Sequence, residues 1–308
     1  MILVAGGTGR LGRQLVPLLT AHGDPVRILS RDPGTDPSTD VSGVEVVSGD
    51  VRDAASLDRA MTGVTTLVSA INGFAGRDAR GVRAIDRDGN AALIDAAVRA
   101  GVGHVVLVSI QGASTDHPIE LFRMKAEAET HLKASGLSWT IIGPTAYQET
   151  WLEIVGRPLV ATGKTRIFGR GKNPINFVSA LDVARIVALA VFDPALRGAT
   201  VEVSGPENLT FDAFVDVVRS ATGVTGTVAH APLPMLRVMS ALLRPFKPVL
   251  AGQIAASIVM DTRDMTADTT DRARRFPMIA STPLIDVATR ELGVVAELPT
   301  LRPSSTAP

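Results

Sequence analysis

Along the first half of the chain, short apolar runs alternate with segments whose apolar residues recur at helical spacing. Ile2-Leu3-Val4-Ala5 and His104-Val105-Val106-Leu107-Val108-Ser109 are apolar without strict alternation. Strands of that kind are buried on both faces, as in a parallel sheet covered by helices. The pattern predicts strands near 1–5, 26–30, 44–48, 65–70, 104–109 and 138–142, and helices near 10–21, 54–61, 86–100 and 119–135. Segments alternating in that order imply an α/β fold built on a doubly wound parallel sheet.

Past Pro144 the pattern changes. Short strands are expected near 165–168, 174–178 and 200–204, among helices near 180–192, 211–221, 234–244, 249–260 and Pro283–Leu292. Thr210, just before Phe211, has the character of an N-cap. Residues 1–145 therefore read as the sheet-bearing core, and 146–297 as a smaller, mostly helical mixed α/β region packed on its C-terminal edge. A return of strand and helix 174–192 to the core stays open. The Pro-, Ser- and Thr-rich tail, 298–308, is expected to be disordered.

Composition narrows the chemistry. Of 308 residues 45% are hydrophobic, and 31 Lys+Arg balance 31 Asp+Glu. The chain thus lacks the basic excess that suits a nucleic-acid partner. Cysteine is absent, which excludes thiol catalysis, disulfides and thiolate metal centres and fits a reducing compartment. The five histidines (22, 104, 117, 131 and 230) show no metal-ligand spacing, so no metal site is expected. His117, in the loop Ser114-Thr115-Asp116-His117 near where a substrate would enter, reads as a surface residue rather than a functional one. No basic stretch precedes an apolar one at the N-terminus, so no signal peptide is read. The longest apolar region, Pro232 to Met260, is broken by Arg237, Arg244, Pro245, Lys247, Pro248 and Gln253. A spanning helix needs roughly 20 nearly uninterrupted apolar residues. The expectation is a cytoplasmic protein without an integral membrane segment, its oligomeric state open.

The first loop carries the clearest chemistry. Gly6, Gly9 and Gly12 follow a buried strand directly and open a helix. Gly6 suits the tight turn, Gly9 the approach of backbone amides to a pyrophosphate, and Gly12 close helix–strand packing. The helix N-terminus adds partial positive charge and unpaired donors. With Thr8, Arg10 and Leu11, this is the layout of a Rossmann dinucleotide site. The second strand ends Ile28-Leu29-Ser30-Arg31, where an NAD site carries Asp or Glu. A guanidinium binds a 2′-phosphate bidentately, and Ser30 can add a hydroxyl, so NADP(H) is preferred over NAD(H). In the competing reading Arg31 is a solvated loop residue partly neutralised by Asp32.

By this point the sequence resembles the NmrA-like group of atypical short-chain dehydrogenase/reductases over roughly residues 1–293. The resemblance rests on the glycine spacing, Val46-Val47-Ser48-Gly49-Asp50-Val51, and Val106-Leu107-Val108-Ser109. Ser138-Trp139-Thr140-Ile141-Ile142-Gly143-Pro144-Thr145 and Phe177-Val178-Ser179-Ala180-Leu181-Asp182-Val183-Ala184 complete it. It implies that Asp50 and Val51 flank an adenine, that Ser69, Ala70 and Ile71 line the adenosine and its ribose, and that Pro144 and Thr145 border a nicotinamide. For Val51 and Ile71 plain core packing is the alternative. Asp182 reads equally as a cap or anchor of the helix beginning near Ala180.

The superfamily's catalytic Ser, Tyr and Lys place Tyr four residues before Lys. Here Ser109 ends the fifth strand and Lys125 lies on the next helix, but Leu121 stands where the tyrosine would. Leucine transfers no proton. The single tyrosine, Tyr147, falls after the sixth strand, where a substrate role and a partly buried structural role are both open. The resemblance implies an NADPH-dependent oxidoreductase that reduces a small apolar carbonyl, quinone or enone by hydride transfer. Lys125 would hold the ribose or polarise the acceptor, Ser109 would donate a hydrogen bond, and Tyr147, Gln148 or solvent would supply the proton. The rival reading is a non-catalytic NADP(H)-sensing regulatory or assembly protein. Met235, Met239 and Met260 point to an adaptable apolar roof over the substrate, with core packing, a dimer face or a membrane-surface patch as alternatives.

Overall fold

The computed structural model describes residues 1–33, 43–74 and 81–293. The predicted tail, 298–308, lies outside them. Strands β1 (Ile2–Ala5), β2 (Val26–Ser30), β3 (Val44–Ser48), β4 (Thr66–Ser69), β5 (His104–Val108) and β6 (Trp139–Pro144) fall where the apolar runs place them. Helices α1 (Arg10–Ala21), α2 (Ala54–Ala60), α3 (Asn90–Ala100) and α4 (Glu120–Ala134) fill the gaps. A π-helical stretch, Arg83–Gly89, runs directly into α3.

Side chains alternate across the sheet, and both faces are apolar. Ile2, Val4, Val26 and Ile28 point into one core with Leu11, Leu15 and Leu19 of α1. Leu3, Ala5, Leu29 and Leu67 point into the other with Leu57, Leu93 and Leu132. Burying such a side chain contributes about 1.5–3 kcal/mol, which is why these strands carry no polar alternation.

Further along come β7 (Ala146–Tyr147), α5 (Gln148–Trp151), α6 (Arg157–Thr162), β8 (Lys164–Phe168), β9 (Ile175–Val178) and α7 (Ala180–Phe192). Then follow β10 (Thr200–Val203), β11 (Glu207–Leu209), α8 (Phe211–Thr222), β12 (Thr227–Ala231) and α9 (Leu233–Leu243). The last helices are α10 (Pro248–Thr262), α11 (Asp271–Arg275) and α12 (Leu284–Leu292). The central sheet has seven parallel strands in the order β10-β6-β5-β4-β1-β2-β3.

The chain does return to this sheet, through α7 and β10. Val183, Ile186 and Val187 of α7 share the core of α1, and β10 pairs with β6. β9 goes elsewhere, into a small sheet with β7 and β11. A separate core joins α8 and α12 through Phe177, Phe214, Val218, Leu284 and Val287.

Asp182 neither caps α7 nor faces solvent. Ser179 is the cap, accepting from Leu181 N. Buried Asp182 instead ties down the C-terminal segment: its Oδ2 accepts from Arg272 Nη1 (2.9 Å) and Thr282 N (2.7 Å), and its Oδ1 from Thr282 Oγ1 (2.7 Å).

Candidate active site

Parallel strands end on the same side, so their C-terminal ends and following loops enclose a crevice there. A cavity of about 970 Å³ occupies it, walled by the ends of β1, β2, β4, β5 and β6. One half lies over the glycine loop. Gly6 has φ +88°, and a Cβ there would stand 2.7 Å from Ala70 O. At Gly12 a Cβ would lie 2.3 Å from Gly6 O, so α1 seats against the loop only because that position is bare. Gly9 N–H closes the loop onto Gly6 O at 3.0 Å. No side chain caps α1 and no acid stands in its first turn. The anion donors here are therefore the first-turn amides after Gly9, rather than Gly9's own.

Thr8, Arg10 and Leu11 border this half, with Ser30, Arg31, Asp50, Val51, Ala70 and Ile71. Exposed Arg31 makes no hydrogen bond or ion pair among the described residues, while Ser30 Oγ accepts from Asp32 N. Hydrogen bonds from Arg52 hold the Asp50 carboxyl at about 2, with a further contribution from the Arg31 charge. A bare glycine cradle, an uncapped helix end and an unbonded guanidinium fit a dinucleotide phosphate chain. Ser69 departs from expectation. It is buried and gives its proton to Asn90 Oδ1 (2.6 Å), so Ala70 and Ile71 line the cavity and Ser69 supports them from the core.

The residues matched to the catalytic set lie together but are occupied. Lys125 is buried on α4, not solvated. Its Nζ donates to Ile71 O and Val108 O, both at 3.0 Å, and stands 3.0 Å from Asp86 Oδ1. That last contact is charge pairing without hydrogen-bond alignment, and Oδ1 has no hydrogen-bond partner among the described residues. Asp86 Oδ2 accepts from Gly73 N (2.9 Å). Lys125 thereby joins the loop after β4 to the end of β5. Ser109 donates to Glu129 Oε1, so it offers the cavity an acceptor, not the expected donor. Tyr147 lines the cavity, but its hydroxyl is buried without a partner among the described residues, and burial pushes it well above the ordinary phenol range. Gln148 is buried and bonded to Phe177 O and Thr282 O, away from the cavity lining.

Pro144 and Thr145 stand between the two halves, and Thr145 Oγ1 donates to Asn176 Oδ1 at 2.9 Å. The far half is largely apolar and aromatic, with Phe74, Ile119, Phe122, Trp151 and Met260. His117 belongs here rather than to the open surface. Its ring stacks on Phe122 with centroids 3.9 Å apart. Its Nδ1 accepts from Ile119 N at 3.1 Å, so the ring proton resides on Nε2. Desolvation also lowers its pKa. Arg263, Asp264 and Thr266 border the same half. The predicted roof is only partly present: Ala256 and Met260 of α10 line the cavity, whereas Met239 and Leu243 pack in a small cluster between α9 and α10.

His117, Asp86 and Glu129 carried no recognisable motif. The proximity of Lys125 and Asp86 depends on the π-helical register, and that of Ser109 and Glu129 on how α4 lies across β5. The described residues hold no cluster of three or more metal-ligating side chains.

Residues 6–194 match a family described as NAD(P)H-binding. The chain is 30% identical over 230 residues to the NAD(P)H azoreductase of Xenophilus azovorans, covering 72% of this chain and 74% of that one. It is 25% identical over 247 residues to the photosystem II assembly factor Ycf39 of a Synechocystis strain, covering 80% and 75%. In fold it is similar to an NADPH-bound, NADPH-dependent quinone oxidoreductase from Escherichia coli, with TM-score 0.75, 22% identity, and 94% and 99% of the two chains covered. With the glycine cradle, the strand order and the family match in agreement, the chain belongs to the NAD(P)H-binding family.

Proposed function

We propose that the chain is an NADPH-dependent reductase of a flat, largely apolar acceptor: a carbonyl, quinone, enone or azo compound. The observation that carries this reading is a single cavity joining the glycine loop and Arg31 to an aromatic-lined end. Residues Gly6 to Leu11 would hold the pyrophosphate, Arg31 and Ser30 the 2′-phosphate, and Asp50, Val51, Ala70 and Ile71 the adenosine. Pro144 and Thr145 would border the nicotinamide, which supplies a hydride when the cofactor is bound. Phe122, Trp151 and Met260 exclude water from the acceptor.

Negative charge that develops on the acceptor needs a donor; Ser109 gives its proton to Glu129, and the Tyr147 hydroxyl is buried. His117 offers one, through Nε2–H. A neutral imidazole is a poor proton source but a good hydrogen-bond donor. It suits acceptors whose reduced form is a weakly basic anion that water then protonates. Lys125 acts at one remove, as a positioning residue beneath Ile71 and Val108. A cytoplasmic setting goes with a cysteine-free chain that draws on NADPH.

The sensing alternative is favoured by Leu121 and by the similarity to an assembly factor. NADPH oxidation against quinones, enones and azo dyes separates the two. Turnover of any acceptor supports the reductase; tight NADPH binding without turnover across the panel overturns it.

A further inference from the structure

The α9–α10 hairpin has apolar residues on two faces of α9. Leu236, Met239 and Leu243, spaced i, i+3, i+7, turn inward against Ile254 and Ile258 of α10. One residue back, Met235, Val238 and Leu242 repeat the spacing on the outside. Val238 is 58% exposed, Leu242 67% and Phe246, just beyond the helix, 82%. Leu250 continues the patch onto α10. A helix apolar on two faces is normally covered on both. No helix among the described residues is long and apolar enough to cross a membrane.

Charge indicates what covers it. Residues 217–260 contain no Asp or Glu, while Arg237, Arg244 and Lys247 lie within the hairpin. Those three side chains are exposed and make no ion pair or side-chain hydrogen bond among the described residues. A second copy of this chain is a poor occupant, because a two-fold contact would set the same unpaired cations against each other. An anionic bilayer surface meets both demands: it takes Phe246 and Leu242 into the acyl boundary and pairs the cations with headgroups. We infer that the α9–α10 hairpin docks this protein peripherally on membranes bearing anionic lipid. At its other end α10 reaches the cavity, where Ala256 and Met260 line the wall and Gln253 Nε2 donates to Phe74 O (2.8 Å). The docked face therefore adjoins the apolar half of the site.

The test is flotation of the full chain with vesicles of phosphatidylcholine alone and of equimolar phosphatidylcholine and phosphatidylglycerol. Capture is expected only on the anionic vesicles and should fade with salt. Arg244→Gln and Lys247→Gln should each weaken it about fivefold. Leu242→Asp with Phe246→Asp should abolish it, with NADPH-induced thermal stabilisation retained as proof of folding. Absence of capture by the anionic vesicles overturns the proposal. So does capture that the aspartate pair leaves unchanged, or a wild-type dimer in sedimentation that the same pair dissociates.

Discussion

Lys125 Nζ lies 3.0 Å from Asp86 Oδ1, both side chains buried beneath the loop that floors the cavity. An ammonium there is held for its place as much as for its charge, because it also bonds the carbonyls of Ile71 and Val108. Removing one partner leaves the other ionised in a dry site, which typically costs about 3–5 kcal/mol. Lys125→Met and Asp86→Leu should each lower unfolding free energy by about that much. The double variant should lose clearly less than the sum, as denaturant titrations would show. A stable Lys125→Met protein with normal NADPH affinity but collapsed kcat would give Lys125 the direct role instead.

On the proposed reading, Arg31 is the group on which cofactor choice turns. It has no hydrogen-bond or ion-pair partner among the described residues, while Asp50, nearby, is held ionised by Arg52. Arg31→Ala removes a charge-assisted bond to the 2′-phosphate, worth about 1.5–3 kcal/mol or roughly 10- to 150-fold. NADPH affinity by calorimetry should drop in that range while NADH changes little. Equal losses for both would detach Arg31 from the phosphate.

Elements and cofactor cradle were legible for the same reason: their signals are local. Strands buried on both faces show as unbroken apolar runs, and three glycines at fixed spacing leave few ways to join strand to helix. The return to the sheet stayed open because strand pairing is set by partners distant in sequence: α7 joins the core, but β10 and not β9 pairs with the sheet. Site residues failed where role depended on distant partners. Ser69 and Ser109 sit where the family motif puts them, yet Asn90 and Glu129 take their protons. His117 read as a surface residue because nothing in Ser114-Thr115-Asp116-His117 reveals the stack on Phe122.

For His117 the decisive variant is His117→Phe, which keeps an aromatic ring against Phe122 and deletes Nε2–H. If that donor meets the charge developing on the acceptor, kcat/KM should fall by about 10- to 100-fold, a loss of roughly 1.4–2.7 kcal/mol. The NADPH dissociation constant should not move. The fall should be steepest for quinones and carbonyls, whose charge gathers on oxygen. An undiminished rate with every acceptor would return His117 to a packing role.

His104 supplies a pH dependence remote from the site. It is buried on β5, with Nε2 against Thr140 Oγ1 (3.0 Å) and Nδ1 without a partner. Burial, with a smaller contribution from Arg197, lowers its pKa to about 4. The unfolded chain binds a proton near the ordinary imidazole value of about 6.5, whereas the fold resists it until about pH 4. Above pH 6.5 the residue imposes no penalty. As pH falls through that window the unfolded state gains protons first, and stability should decline by up to about 3 kcal/mol. Carboxylates add their own slope below pH 4, so the informative comparison is with His104→Phe. Thr140 retains a partner there, since its hydroxyl donates to Leu196 O (2.8 Å). Urea midpoints measured from pH 7 to 4.5 should fall steeply for wild type and stay nearly level for the variant. Parallel curves would mean that His104 titrates normally and that its site admits water.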